Sequence, residues 1–95
     1  MTIKNLLIRQ RNDSGNIYLL PQGAFFHTYN EGALLVSEAT GYKIRESECH
    51  KGGEYIFCGF PFSALDKVII KVAQANRNKV ISVSHEDTMT IINIE

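Results

Sequence analysis

The stretch Gly23 to Ala33, GAFFHTYNEGA, places Phe25, Phe26, His27 and Tyr29 within five positions. Rings at this density either pack as core or point outward to stack on something flat, such as a nucleobase or a protein partner. His27 adds an imidazole that donates or accepts a hydrogen bond and titrates near neutrality. If residues 24 to 29 are extended, Phe25, His27 and Tyr29 share one face while Ala24, Phe26 and Thr28 share the other. One set can then be core and the other exposed, and the alternation by itself does not choose.

Other reactive side chains form weaker patterns. Cys49-His50, Cys58, His27 and His85 supply thiols and imidazoles, but no Cys-x-x-Cys pair gives the spacing of a structural zinc site. A thiolate nucleophile needs a histidine base whose position the sequence does not place. No Gly-x-x-x-x-Gly-Lys-Ser/Thr loop is present to cradle phosphates. The expectation is a protein without metal, cofactor or catalytic machinery.

Ninety-five residues suffice for one core, so residues 1–95 are read as a single domain. Hydrophobic residues at 44% and charged ones at 21% exclude a disordered chain. Ten basic and ten acidic residues cancel. Phosphate neutralisation drives most nucleic-acid affinity, so an electrostatic grip on nucleic acid should be weak. Leu6-Leu7-Ile8 is short, flanked by Lys4 and Arg9, and lacks a cleavage site, so no signal peptide is expected. No stretch has the length of a membrane span. These features suit a cytoplasmic protein with two reduced thiols.

The elements that must position the aromatic cluster are short. Thr2 to Gln10 reads as a strand, and Asn12-Asp13-Ser14-Gly15-Asn16 as a turn. Ile17 to Leu20 reads as a second strand, the hairpin partner of the first, and Pro21 favours an edge or bulge. Ala24 to Tyr29 is extended. Asn30 suits a helix N-cap with Glu31 in the first turn, and Gly41 suits the C-terminal cap. Tyr42 to Arg45 resumes a strand, Glu46 to Gly53 is a polar loop, and Glu54 to Phe60 is an aromatic-rich strand. Ser63 and Asp66 match a capping box. Leu65, Val68, Ile69, Val72 and Ala73 then fall on one helical face. Lys79 to Ser84 is a strand, His85-Glu86-Asp87 a turn, and Thr88 to Ile94 the last strand. The resulting fold class is α/β (α+β): a mixed or largely antiparallel sheet of about five to six strands with two principal helices, near Asn30–Thr40 and Ser63–Asn76.

The order of these motifs resembles the N-terminal, mismatch-contacting domain of the MutS family of DNA mismatch-repair proteins over Asn16 to Ser84. That family's Gly-Asp-Phe-Tyr-Glu stretch corresponds to Gly23-Ala24-Phe25-Phe26-His27, its acidic helix start and alanine to Glu31-Gly32-Ala33, and its Gly-x-Pro-Tyr-His-Ala turn to Gly59-Phe60-Pro61-Phe62-Ser63-Ala64. The resemblance implies that Phe25 is a wedge, entering the minor groove and stacking on a mispaired or unpaired base. Such a wedge selects bases whose stacking is already weakened. It also implies that Phe26 takes the tyrosine's place, a less direct contact. His27 stands where the family has a glutamate that bonds the displaced base. Neutral, His27 keeps a base contact; cationic, it attracts phosphate; a solvated or structural role is the third alternative. Phe25 is accordingly expected to point outward and Phe26 inward, with packing or a partner interface as the alternative for Phe25. Tyr29 is expected to pack, and Gly59 and Pro61 to fix the turn before the second helix.

The functional expectation is a non-enzymatic nucleic-acid-recognition accessory protein, lacking the family's ATPase, clamp and connector domains. It would bind mismatched or unpaired bases weakly and rely on a protein partner for affinity. Small MutS-like proteins resembling this domain accompany reverse transcriptases in some bacterial retroelements, so repair and retroelement settings both fit. The alternative is a protein–protein interaction module that kept the fold and lost mismatch binding.

Overall fold

A computed structural model describes residues 2–13, 15–49 and 53–95. The chain begins with a helix, α1 (Ile3–Asn12), where a strand was expected. Its apolar positions Ile3, Leu6 and Leu7 repeat at helical spacing, and Leu6 and Gln10 form the buried side. The Thr2 hydroxyl accepts from the Asn5 N–H at 3.2 Å, and Arg9 and Arg11 occupy the last turn, where the dipole favours cations. Cap and periodicity outweigh the β-branched composition that suggested a strand.

The sheet has six strands: β1 (Ile17–Gln22), β2 (Phe25–Tyr29), β3 (Arg45–Cys49), β4 (Gly53–Pro61), β5 (Ile81–Glu86) and β6 (Met89–Ile94). Their order is β3-β4-β2-β1-β6-β5, with every pair antiparallel. The fold class is thus the expected α+β arrangement in its largely antiparallel form. With residues 3–12 helical, β1 takes β2 and β6 as partners instead of the N-terminal segment. Pro21 lies beyond the β6 ladder and pairs only toward β2, so its missing N–H costs no bond there. Gly23 adopts φ 64° at the first position of the two-residue β1–β2 turn, a conformation glycine accepts without strain.

Helices α2 (Glu31–Thr40) and α3 (Leu65–Ala75) cover one face of the sheet. Ile17, Leu19, Phe26, Cys58, Phe60 and Ile92 of the strands meet Ala33, Val36, Val68 and Val72 of the helices. In the α3 stripe, Val68 and Val72 are fully buried and Leu65 and Ile69 partly so. Gly41 ends α2 in the left-handed conformation. Asn30 sits at the N-cap of α2, yet its side chain makes no cap bond. Its Oδ1 instead accepts from the Ile56 N–H at 3.2 Å, tying the helix start to β4. The Ser63–Asp66 capping box does not form: Phe62–Ala64 makes a short 3-10 turn, and Ala64 occupies the N-cap. Residues 41–44 carry no strand, and the ladder opens only at Arg45 opposite Phe57. Part of the expected polar loop 46–53 is therefore strand, whereas positions 50–52 lie outside the described residues, as does Ser14 of the first turn. The β5–β6 turn falls at Asp87-Thr88, two residues later than the start expected for it.

The opposite face is covered by α1, with Leu6, Tyr18, Leu20, Tyr29, Met89 and Ile91 packed together. Register would place Tyr18 opposite Tyr29, but the β1–β2 ladder stops at Leu20 and His27. The buried Gln10 side chain fills this gap. Its Oε1 accepts from the Tyr18 N–H at 3.1 Å, and its Nε2 donates to the carbonyls of Asp13 (3.1 Å) and Asn16 (2.6 Å). Gly32 lets α2 approach here, since a Cβ would collide with the Thr28 and Gln10 side chains. Arg9 pairs bidentately with Glu86 at 3.0 and 2.9 Å, an exposed contact of small energetic weight.

Candidate nucleic-acid interface

The two-residue turn sets the parity of β2, and the pleat then separates its aromatic residues. Phe25 is 46% exposed, whereas Phe26 is 9% exposed. The Phe26 ring packs against Phe60 at 5.9 Å and against Phe62 at 4.7 Å between centroids. Phe25 stands at the hairpin end, opposite Gln22 on one side and Pro61 on the other. The cluster under α1 reaches Tyr29, and Phe25 and His27 lie on that face beyond it. Phe26, the less direct of the candidate contacts, is core.

His27 lies between these environments. Its partner in β4 is Gly59, and its ring stacks on Phe57 at 5.1 Å and 28°. A Cβ on Gly59 would stand 2.9 Å from His27 Cδ2, so the glycine makes room for the ring as well as preceding the turn. Burial pushes the His27 pKa below its ordinary value of about 6.5. This burial disfavours the cationic, phosphate-attracting alternative. The ring is half-buried, and in its neutral form it offers one donor and one acceptor.

Phe25, His27, Tyr42, Lys43, Arg45, Phe57 and Gly59 line a recess of about 280 Å³. It exists because residues 42–44 run clear of the ladder beside β4. Lys43 and Arg45 are both exposed, and the only salt bridge among the described residues joins Arg9 to Glu86. A second recess, of about 460 Å³, is lined by Glu46, Glu48 and Glu54 with Asn30, Ser47, Tyr55 and Ile56, and its charge repels phosphate. That Phe57, Lys43 and Arg45 line this recess with Phe25 and His27 was not legible in the sequence. The alternation of Tyr55, Phe57 and Gly59 opposite Arg45 was the available signal, readable only once β3–β4 pairing is known.

Tyr29 packs, as expected, and burial with the nearby Tyr55 phenol raises its pKa to about 12. Cys58 is buried, and that burial pushes its thiol pKa up, which disfavours the reactive thiolate. No three His, Cys, Asp or Glu side chains converge as a metal site among the described residues. His50 and the Cys49 side chain lie outside them. His85 stands on β5, with Nδ1 3.3 Å from the Thr90 hydroxyl. No helix among the described residues is long and apolar enough to cross a membrane.

The sequence model of MutS domain I matches residues 7–93. The DNA mismatch repair protein MutS of Phocaeicola vulgatus is 32% identical over 71 residues, covering 75% of this chain and 8% of that relative. The chain thus spans about 8% of the length of the curated relative it matches. With the match covering most of the chain and a six-stranded α+β fold consistent with it, the chain belongs to the MutS domain I family.

Proposed function

We propose that this domain recognises mispaired or unpaired bases in nucleic acid, with Phe25 as the stacking wedge and His27 as a neutral hydrogen-bonding partner of the displaced base. The observation that carries the reading is Phe25, half exposed on an otherwise covered strand and directly beside the buried Phe26. Membership of a family whose matched relative is named a DNA mismatch repair protein supports it.

The role is non-catalytic and accessory, in a cytoplasmic repair or retroelement setting. Zero net charge gives weak affinity for a duplex, so the grip comes from a protein partner or from further domains. Ile70 of α3, Val83 of β5 and Val80 just before it are exposed aliphatic side chains that suit such a protein contact. A residue-resolved NMR titration at low salt with mismatched, matched and single-stranded oligonucleotides tests the reading. Shifts centred on residues 25–27 that weaken steeply with added salt are expected. Salt-insensitive contacts with protein alone would favour the interaction module instead. Saturable ATP turnover surviving repurification would contradict the non-catalytic role, because no loop in the sequence supplies a phosphate cradle.

A further inference from the structure

We infer that the recess between β2, β4 and residues 42–45 is a binding site for one unpaired nucleotide, its base against the His27–Phe57 ring pair under Phe25 and its phosphate at Lys43 and Arg45. This rests on the reading of the domain as a nucleic-acid-recognition module, but goes beyond a wedge, which stacks on a base still held in a duplex. The recess would instead take a base removed from the helix or belonging to a single strand.

Three features support this occupant. At about 280 Å³ the recess falls just below the usual range of ligand sites, about 300–1,000 Å³, which limits its occupant to about one base. Its wall combines a stacked ring pair with an imidazole that offers one donor and one acceptor. Flat apolar surface is thus joined to one donor and one acceptor, the combination by which proteins read an unstacked base. The charge at its mouth is also complementary. Lys43 and Arg45 are exposed and free of ion pairs among the described residues, and none of the residues lining the recess is acidic. In a chain of zero net charge, this places two cations beside the exposed aromatic wall, while three glutamates line the other recess.

The test compares binding of a short fluorescein-labelled oligothymidylate with that of the same backbone carrying abasic sites, by anisotropy at low salt. The wild-type protein should bind the base-bearing strand more tightly. Phe57→Leu keeps apolar volume but removes the ring. It should weaken oligothymidylate binding about five- to 150-fold, the range of base–aromatic stacking, and leave the abasic strand unchanged. Gly59→Ala, at an exposed backbone position, puts a methyl group against the His27 ring at the recess and should give the same pattern without relying on a half-buried site. Lys43→Gln and Arg45→Gln should weaken both strands and lower the salt slope by about one each. Equal affinity of the wild type for the two strands overturns the site. So do silent Phe57→Leu and Gly59→Ala variants in a protein that still prefers mismatched over matched duplex, and in that case the wedge reading stands. Absence of any binding by the wild-type protein, to strands and duplexes alike, overturns both.

Discussion

Gly59 lies directly across the ladder from His27, and the imidazole occupies the space a side chain on Gly59 would need. That pairing keeps His27 flat against Phe57 and partly out of water, and its lowered pKa follows from this burial. A Gly59→Ala protein should fold, because the displaced group is the end of a side chain. Its His27 resonance should titrate closer to the ordinary value of about 6.5. An unchanged titration midpoint in a histidine-selective NMR series would show that the ring does not depend on the glycine.

His27 also makes stability depend on pH. Its folded pKa lies below its unfolded value, so the unfolded chain takes up a proton first as pH falls. The stability associated with the neutral ring is present above about pH 6.5 and is lost as pH falls through the lower folded value. His27→Gln should flatten this part of the urea-midpoint profile. A profile identical to that of the wild type between neutral pH and the folded pKa would rule out the assignment.

Phe25 and Phe26 are chain neighbours with opposite surroundings. Phe26→Ala should cost about 3–5 kcal/mol, because it opens a cavity among Phe60, Phe62 and the helices. Phe25→Ala should cost well under that, while reducing any preference for mispaired bases by about 1–3 kcal/mol. Urea denaturation and duplex titration check the two halves separately. Unfolding by Phe25→Ala with a silent Phe26→Ala would mean the faces are exchanged.

Gln10 makes three hydrogen bonds in the gap where β1 leaves β2. Gln10→Leu preserves much of the volume but strands the buried Tyr18 N–H, at a cost of about 1–3 kcal/mol or more with the carbonyls also affected. Gly32→Ala, which forces a methyl group into the same place, should cost about 1–3 kcal/mol. Amide exchange at Tyr18 should accelerate in the Gln10→Leu protein. Unchanged protection there would show that another group holds the strand.

The α3 stripe should be uneven. Val72→Ala, at a fully buried position, should cost about 2 kcal/mol from its lost methyl groups and residual cavity. Leu65→Ala, partly exposed beside the 3-10 turn, should cost about 1 kcal/mol or less, below both the Val72 loss and the roughly 2–5 kcal/mol expected for a fully buried leucine. Equal losses in thermal or urea unfolding would show that the stripe is buried uniformly.

Local order in the sequence determined the elements whose signals are short-range. The period of two in Phe25 to Tyr29 put Phe25 and Phe26 on opposite faces, Gly41 marked the end of α2, and the four-residue rhythm of Val68 and Val72 marked the buried side of α3. Tertiary structure decided what competes over distance. Residues 3–12 became helix, with Leu6 packing beneath β1 and Gln10 completing a broken ladder, contacts absent from their own segment. Asn30 turned its side chain to Ile56, 26 residues away, instead of capping its helix. The recess arises where residues 42–44 leave the β4 edge, and the downward pKa shift of His27 where Phe57 and Gly59 enclose its ring. Charge state and access depend on the atoms around a group, and those atoms come from strands far apart in the chain.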